Sequence, residues 1–299
     1  MQQKDNLDQL ALVAAKQHMG DFAWPTVIFG STVIAAYLAT VSLSMAGIMP
    51  LWLAMPLVAV LTYLSYTVLH EAAHGSIGGS HTSRRWLNEA LGYGAAWILM
   101  IPLTAHRHEH LAHHRNTNDE EGDPDFVASA MRKSPLHVLS VAPRVLWKQF
   151  AYYLKNRWGK GPRSQDINLC LEILTILAPR LALLAAGFWL QGLALFLVAW
   201  VAGVSLTLFL FAFIVHTPHE AVGRYVDTST ILVAGPLGKL VTWLWVYQNY
   251  HSIHHLFPRV PFYKYPALFE QIEDTMVAKG APIYRLTVKG MEPVEARAV

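Results

Sequence analysis

Three short histidine runs are the chemically most informative feature of this 299-residue sequence, which contains 15 histidines. They are His70-Glu-Ala-Ala-His74, His110-Leu-Ala-His113-His114 and His251-Ser-Ile-His254-His255. Because residues three and four apart share one face of an α-helix, each run presents its imidazoles on a single stripe. Eight imidazoles are about twice the number that one tetrahedral zinc site uses, so we predict two metal ions. Imidazole binds iron, copper, nickel and zinc alike, and the spacing therefore does not choose the metal.

Four further histidines stand close enough to the runs to matter. His216 and His219 occur in His-Thr-Pro-His-Glu, and His106 and His108 precede the second run. They could be ligands, hydrogen-bond donors behind the ligands or surface groups, and the sequence does not rank these roles. Three isolated histidines are expected to be ordinary structural side chains: His18, His81 and His137.

Acidic residues near the runs are candidates for holding the ligand rings, because a metal-bound imidazole usually donates its second N–H to a carboxylate or a carbonyl. The alternative is that each is a solvated loop charge. The candidates are Glu71, Glu109, Asp119, Asp123, Asp125, Glu220 and Asp227.

The composition indicates a membrane protein. Apolar residues make up 54% of the chain and charged residues only 14%, against about 25% charge in soluble domains. No Asp, Glu, Lys or Arg occurs in 22–70 or in 181–219, and one crossing needs about 20 apolar residues. We therefore predict two hairpins of transmembrane helices, with spans at about 26–46, 51–70, 172–190 and 193–215. The third span contains Arg180, whose head we expect to reach the lipid headgroups; the alternative is a functional charge inside the membrane.

The lysines and arginines predict the orientation of these spans. Apart from Arg180 in the third span, they lie before the first span, between the hairpins and after the last span, and neither short hairpin connection has any. The positive-inside rule then places both termini and the histidine runs on the cytoplasmic side. Residues 90–103 and 231–250 are each predicted to form an interfacial or re-entrant helix. Residues 138–158 are predicted to be a basic, aromatic-rich helix in the headgroup plane, or an ordinary cytoplasmic helix.

Other features narrow the class of protein. Residues 1–21 lack the apolar core of a cleavable signal peptide. The single cysteine, Cys170, excludes a disulfide within the chain and a cluster held by several thiolates. The sequence pI is near 8.9, and attraction of basic segments to anionic lipids explains this basic character. No nucleic-acid partner is therefore expected. We predict one membrane-embedded domain over residues 1–299, with metal-binding cytoplasmic segments at 71–171 and 216–270.

Several motifs together resemble the membrane-bound fatty acid desaturase and hydroxylase superfamily. They are the HEAAH run, HLAHHRNTNDEEGDPD from His110, the Pro-His step followed by Arg224-Tyr225 and Asp227-Thr228, and QNYHSIHHLFP from Gln248. The third run looks especially like that of bacterial lipid desaturases and of carotenoid-ring hydroxylases of the cyanobacterial type. The resemblance covers approximately residues 50–270.

The resemblance implies an all-α integral membrane fold, in which a cytoplasmic helical cap carries the histidine motifs. It also implies a non-haem diiron centre, coordinated by histidines alone, that uses O₂ and two electrons. The family's additional histidine matches His219 best because of the Pro-His step, and His216 remains the alternative. The implied ligands are His70, His74, His110, His113, His114, His219, His251, His254 and His255.

The function expected from the resemblance is oxidation of an unactivated C–H bond in a lipid chain, by fatty acyl desaturation or hydroxylation. The alternatives on the same centre are carotenoid-ring hydroxylation or ketolation and oxidative decarboxylation of a fatty acid. A metal transporter is a different class, and it predicts polar ligands inside the spans. The substrate is expected from the bilayer of a bacterial inner membrane, and electrons from a separate ferredoxin, rubredoxin or flavin reductase.

Overall fold

The mostly helical architecture confirms the predicted fold class. The computed structural model describes residues 2–294, with the side chains of 6–134 and 136–294; residues 1 and 295–299 of the predicted domain lie outside the described residues. The helices are α1 (Gln2–Lys16), α2 (Trp24–Met45), α3 (Leu51–His74), α4 (Arg85–Leu99), α5 (Leu103–Asn116), α6 (Val138–Asn156), α7 (Arg163–Ala185), α8 (Trp189–His216), α9 (Gly238–Leu244), α10 (His251–Leu256) and α11 (Tyr265–Ala278). Short 3₁₀ turns are Thr82–Arg84, Phe126–Arg132, Pro135–His137, Gln248–Tyr250 and Phe262–Lys264.

Four helices, α2, α3, α7 and α8, are long and apolar enough to cross a membrane. This confirms the number of predicted spans. The second hairpin differs from the prediction in where it turns: α7 ends at Ala185, and Gly187 adopts φ +94° immediately after it. Because glycine tolerates positive φ without steric cost, the chain reverses there. The two residues between the predicted third and fourth spans, Gln191 and Gly192, lie inside α8.

The helix α3 is the central element, since it packs against α2, α4 and α8. Small residues bring these helices together. A Cβ at Gly203 of α8 would lie 2.5 Å from the Ala59 carbonyl oxygen and 2.6 Å from the Thr62 Cβ. Only glycine fits at that crossing, as is common between membrane helices. The contact fixes the end of α8 relative to the end of α3, where histidines lie.

The segment predicted as interfacial or re-entrant, residues 90–103, lies alongside α3. Asn88 near the start of α4 donates to the Ala72 carbonyl oxygen at 2.9 Å, and Ile98 near its end packs with Val58. The chain then reverses, with Met100 at φ +55°. Helices α4 and α5 therefore form a hairpin beside α3, and α5 carries the second histidine run to the end of α3.

Arg180 does not extend toward headgroups as the sequence predicts. Its side chain is buried, and its guanidinium donates to the carbonyl oxygens of Ile176 at 2.6 Å and Trp97 at 2.8 Å. The guanidinium also stacks 4.2 Å from the Trp97 ring centroid. Because the free carbonyls at the end of α4 offer acceptors inside the protein, the cation turns inward and joins α7 to α4.

Residues 231–250 also depart from the predicted helix. Thr230–Val233 form strand β1, which pairs in parallel with β2 (Ile283–Thr287), and β2 pairs antiparallel with β3 (Gly290–Pro293). The helix α9 begins only after Gly235-Pro236. The segment is thus a strand and a short helix, because the carboxyl-terminal part of the chain supplies a pairing partner that local hydropathy does not reveal.

Candidate metal centre

The three histidine runs converge, although they lie on separate helices. His70 and His74 occupy the last turn of α3, the second run lies in α5 and the third forms most of α10. The ring centroids of His70 and His254 are 4.0 Å apart, and those of His74 and His110 are 4.9 Å apart. Gly75 ends α3 in the left-handed region, with φ +69°, so that the chain leaves the helix directly after the ligand-bearing turn.

Five of these histidines form one compact group, in which one nitrogen atom from each ring lies within 4.8 Å of all the others. Within it, His114 Nε2 lies 3.0 Å from His110 Nε2 and 2.9 Å from His254 Nε2. One ring nitrogen offers either a single hydrogen or a single lone pair, so hydrogen bonds do not account for both contacts well. Two nitrogens that each lie about 2.1 Å from one ion, at a right angle, are about 3 Å apart. The five-histidine group consists of His70, His74, His110, His114 and His254.

Unpaired atoms in this group also fit a bound metal. Both ring nitrogens of His70 and the Nε2 atom of His74 are buried without a hydrogen-bond partner. Such atoms are rare in folded proteins, because leaving them unpaired costs free energy. A metal ion would satisfy one nitrogen of each ring at once.

A three-histidine group, His113, His216 and His255, adjoins the first. His113 Nε2 lies 3.1 Å from His216 Nε2. His251 is outside this compact set, but its Nε2 atom lies 3.2 Å from His255 Nε2. The rings of His114 and His255 stack with centroids 4.2 Å apart, so the two groups are direct neighbours.

The Asp123 carboxylate anchors the three-histidine group. Its Oδ1 atom accepts the His113 Nδ1–H at 2.8 Å, and backbone N–H groups of Asp125 and Asn118 hold the carboxylate at 2.8 and 2.9 Å. Burial lowers the pKa of His113, but the hydrogen bond and charge of Asp123, together with the charges of Asp125 and Asp227, outweigh burial and raise the pKa to about 9. With Nδ1 held by Asp123, the Nε2 atom of His113 is the one that a metal would bind, on displacing its proton.

Neutral partners orient two more rings in the same way. The Thr117 hydroxyl donates to the His113 carbonyl oxygen, so its oxygen accepts from His255 Nδ1 at 3.3 Å. His251 Nδ1 donates to the Gln248 side-chain oxygen at 3.3 Å. In both rings the Nε2 atom that faces the cluster is left as the acceptor.

Burial keeps the clustered rings in the form that binds metal. It lowers the pKa of His110, His114, His254 and His255 well below the ordinary range, with the neighbouring imidazoles adding to the effect. Only neutral imidazole has a lone pair to offer, so these four rings can bind cations without first releasing protons, whereas His113 would release one.

The other acidic candidates do not hold ligand rings. Glu109 and Asp125 are buried close together, and burial followed by repulsion from Asp125 raises the pKa of Glu109 well above its usual value. Asp119 accepts backbone N–H groups of its own loop, and Glu220 pairs with Arg132 at 3.3 Å. Burial raises the pKa of Asp227 to about 6.

The structure separates His216 from His219. His216 belongs to the three-histidine group, whereas His219 Nε2 donates to the Phe213 carbonyl oxygen at 2.9 Å and its ring stacks on Phe213. The prediction placed a ligand at His219, so the arrangement favours the alternative that the sequence left open. One signal could have identified it: like His70, His216 ends a long charge-free span.

His106 and His108 also stay outside both groups. His106 stacks on His110 and donates its Nδ1–H to Gln149 at 3.2 Å. His108 is half-buried against the Tyr153 ring.

Two narrow cavities meet beside the three-histidine group. A cavity of about 20 Å³ borders the imidazoles, and an apolar cavity of about 30 Å³ lies between α6 and α8. They share four lining residues: Tyr66, Asp125, Phe211 and Ala212. The Tyr66 ring is 4.9 Å from the Phe211 ring and 5.8 Å from the His70 ring, so it separates apolar space from the imidazoles.

Comparison with known proteins gives one family. A sequence model described as fatty acid desaturase matches residues 46–287. A fatty acid desaturase of Bacillus subtilis (strain 168) is 24% identical over 264 residues, which are 79% of this chain and 72% of the relative. Fatty acid conjugase FAC2 A of Calendula officinalis is 21% identical over 69% of this chain. That alignment spans 63% of the Calendula protein, somewhat less than two thirds of its length.

Proposed function

The chain belongs to the fatty acid desaturase family and is an oxidoreductase, and from that premise we propose that it uses O₂ to oxidise an unactivated C–H bond of a fatty acyl chain at a non-haem diiron centre. One observation carries the proposal: buried imidazoles from α3, α5, α8 and α10 converge into two adjoining groups. Two ions of a redox metal fit two such groups, because imidazole is a common ligand of iron.

Each histidine group would hold one iron. The five-histidine group supplies one set of ligands. His113, His216 and His255 supply the other, and His251 lies close enough to His255 to join it. His216 replaces His219 in this assignment, because His219 has its Nε2–H committed to a backbone carbonyl.

The bound irons would supply the redox chemistry that a C–H bond without polarity requires, since acid–base groups have nothing there to act on. The protein positions the ligands and excludes water. His70, His110, His113 and His254 are all buried, and Asp123 fixes one ring from behind. A substrate held beside them would therefore meet few competing water molecules.

The apolar cavity between α6 and α8 is the proposed place for the part of the acyl chain near the centre. Its walls include Leu99, Val145, Val204 and Leu208, and it reaches the imidazoles at Tyr66. At about 30 Å³ it is narrow, so an acyl chain would have to displace side chains of α6 or α8. The exposed apolar residues Leu139 and Trp147 on α6 fit a helix that lies against the bilayer.

Desaturation is the reaction proposed first, and hydroxylation second. Carotenoid-ring oxidation and oxidative decarboxylation would use the same ligands. After hydrogen abstraction, a difference of about an ångström in substrate position decides the product. Product analysis therefore separates these outcomes.

A metal transporter fits less well. His70, His74 and His216 lie at the ends of α3 and α8, so the histidines that the spans contribute cluster at one end and not along a path through the bilayer. We infer from the positive-inside rule that this end faces the cytoplasm of a bacterial inner membrane.

A separate electron donor would dock on that face. A cleft of about 370 Å³ is bordered by Arg115 and Arg224 and by the partly exposed rings of His114 and His255. Two cations beside accessible ligand edges would attract an acidic one-electron protein, such as a ferredoxin or rubredoxin, or a flavin reductase.

Expression with a reductase system, followed by mass spectrometry of total lipids and pigments, tests the proposal. We expect new double bonds in fatty acyl chains, and about two irons per purified chain. Exchangeable zinc or nickel, with no O₂ uptake and no new lipid product, would contradict it.

A further inference from the structure

Helix α5 carries histidines of both groups, although it is not one of the four membrane spans. His110 and His114 belong to the five-histidine group, and His113 belongs to the three-histidine group. With 14 residues, α5 is too short to be fixed by crossing the bilayer, so its position depends on contacts with neighbouring helices. Whatever holds α5 in place therefore sets the ligand geometry of both groups at once.

The start of α5 is capped by a carboxylate from another helix. Its own N-cap residue is Pro102, which forms no side-chain cap. Glu172 of α7 supplies the missing acceptor, because its carboxylate accepts the Thr104 N–H at 3.3 Å and the Thr104 hydroxyl. Both residues are buried. A carboxylate stabilises this end of a helix, where free N–H groups carry partial positive charge.

The end of α4, on the other side of the hairpin turn, is held by a cation of the same helix α7. Arg180 donates to the Trp97 carbonyl oxygen and stacks on the Trp97 ring. In return, the Trp97 indole N–H donates to the Thr175 carbonyl oxygen at 2.9 Å. That oxygen is free to accept because Pro179, four residues later, has no N–H to donate to it. A cation stabilises the carboxyl end of a helix, so α7 meets each helix end with the favourable charge.

The two charges are costly where they lie. After Asp166, Glu172 and Arg180 are the only charged residues of the span α7, and they are eight residues, or about 12 Å, apart along it. Charged residues in spans are rare and are usually paired with polar groups inside the protein. Because the bilayer interior offers no water to replace a lost partner, removal of either charge would leave backbone groups at the hairpin turn unsatisfied.

Close packing couples the two helices of the hairpin to each other. A Cβ at Gly92 of α4 would lie 2.7 Å from the Ala72 Cβ of α3 and 2.8 Å from the Leu103 Cδ2 of α5, so glycine is required at this crossing. A shift of α4 would therefore move α5. The first residue that Glu172 holds, Thr104, is only six residues before His110, which is less than two helical turns.

We propose that Glu172 and Arg180 are positioning residues, which hold the α4–α5 hairpin so that the second histidine run reaches both metal positions. Their effect on C–H oxidation rests on the proposed function, whereas their effect on metal binding follows from the histidine groups alone. Because α5 contributes to both groups, loss of either charge should weaken both metal positions together. In this respect the pair differs from Asp123, which contacts one ring of one group.

The test loads the purified full-length protein with Co²⁺ in detergent and withdraws the metal with increasing EDTA, well below the Tm of each variant. Visible absorption reports Co²⁺ bound by imidazole. Glu172→Ala should release Co²⁺ from both groups at an EDTA concentration at least about tenfold lower, equivalent to about 1.4 kcal/mol. Glu172→Gln should have a smaller effect, because its amide oxygen still accepts the Thr104 N–H.

The arginine is tested in the same way. Arg180→Gln should resemble Glu172→Ala, and Arg180→Lys should recover part of the Co²⁺ retention because lysine keeps a cation at the end of α4. If Glu172→Ala or Arg180→Gln does not fold, the conservative variants Glu172→Gln and Arg180→Lys decide between the outcomes.

Asp166→Asn is the matched control on the same helix. The Asp166 carboxylate accepts the Tyr153 hydroxyl at 2.9 Å and the Gly159 N–H at 3.0 Å, and neither partner belongs to α4 or α5. The control should lower Tm and leave the retention of Co²⁺ unchanged. Three results would overturn the inference: parental retention in Glu172→Ala, weakening of only one group, or equal weakening in Asp166→Asn.

The proposed function can fail separately from this inference. A protein that loses Co²⁺ as expected in the variants but never oxidises a lipid would refute the proposed function alone. With active enzyme, Glu172→Gln should lower kcat and leave KM nearly unchanged, because the ligands are displaced and the walls of the acyl cavity are not.

Discussion

The five-histidine and three-histidine groups are neighbours, yet they are built differently. All five rings of the first group come from the three sequence runs, and no carboxylate among the described side chains hydrogen-bonds to them. The second group takes His216 from the end of α8 and has Asp123 behind His113. The difference teaches that the ligands of one group can be recognised from helical spacing, whereas one ligand of the other is identified only by how α8 packs beside α5.

Their electrostatic surroundings differ as well. The five-histidine group offers only neutral rings to a cation. The three-histidine group has Asp123 in contact, with Asp125 and Asp227 nearby, and these carboxylates act on His113. Negative charge behind a ligand ring makes that ring a stronger donor to a metal. We therefore expect the affinity of the three-histidine group for its proposed iron to depend on Asp123. The affinity of the five-histidine group should depend on the number of its ligands.

Removal of a ligand from either group should have the largest effect. His110→Ala and His216→Ala should each lower product formation by more than about 100-fold, the upper limit typical of residues behind the ligands. Iron analysis should show that each variant loses metal, while the four-span fold stays intact by circular dichroism. Normal iron content and activity in the His216 variant would refute the assignment of the second group.

Asp123→Asn should have the next largest effect. Its loss should weaken iron binding or activity by about 10- to 100-fold, because the His113 ring loses its charged partner. Iron titration should show one weakened site and one unchanged site. Equal weakening of both sites would mean that the groups are not independent.

Ala212→Leu tests whether substrate approaches from the side of the three-histidine group. The larger side chain would fill the junction of the two cavities, and product formation should fall about tenfold because the acyl chain is displaced from its reacting position. Iron content should stay at the parental value. Unchanged product yield and double-bond position would place the acyl chain elsewhere.

Tyr265→Phe is the counterpart of the Asp123 variant in the five-histidine group. Tyr265 Oη lies 3.1 Å from His254 Nδ1, and a neutral hydrogen bond contributes about 1 kcal/mol, or about fivefold in affinity. The expected weakening is confined to the first iron. A loss as large as that of Asp123→Asn would remove the distinction between charged and neutral partners.

His219→Ala should have the smallest effect on catalysis. It removes one hydrogen bond to the Phe213 carbonyl and should cost about 1 kcal/mol of stability, visible as a lower Tm. Iron content should be unchanged and activity should stay within about twofold of the parent. Loss of one iron in this variant would show that His219 is a ligand, as the Pro-His step predicts.

Much of the fold was predictable because the hydropathy of a segment indicates whether it suits lipid or water. The charge-free stretches before His70 and before His219 gave four spans, since a charge is costly in a bilayer core. The turn at Gly187 was misplaced by a few residues, because glycine at 187 and glycine at 192 look equivalent in sequence and differ only in backbone conformation. Arg180 turns inward because the carbonyl oxygens of Trp97 and Ile176 accept hydrogen bonds from its guanidinium. The sequence does not reveal these acceptors, since Trp97 is far along the chain and every residue has a carbonyl.

By itself the sequence determined that helices carry imidazoles in pairs and triplets on one face, because the period of the helix is a local property. It also predicted that two of the four apolar helices end next to histidines. Only the tertiary structure decided how the rings divide into two groups, and that His216 and not His219 faces His113. The physical reason is that ligand geometry depends on contacts between residues about a hundred positions apart, as in the His113–His216 and His114–His254 pairs. Such contacts follow from packing, such as the glycine crossing of α8 on α3.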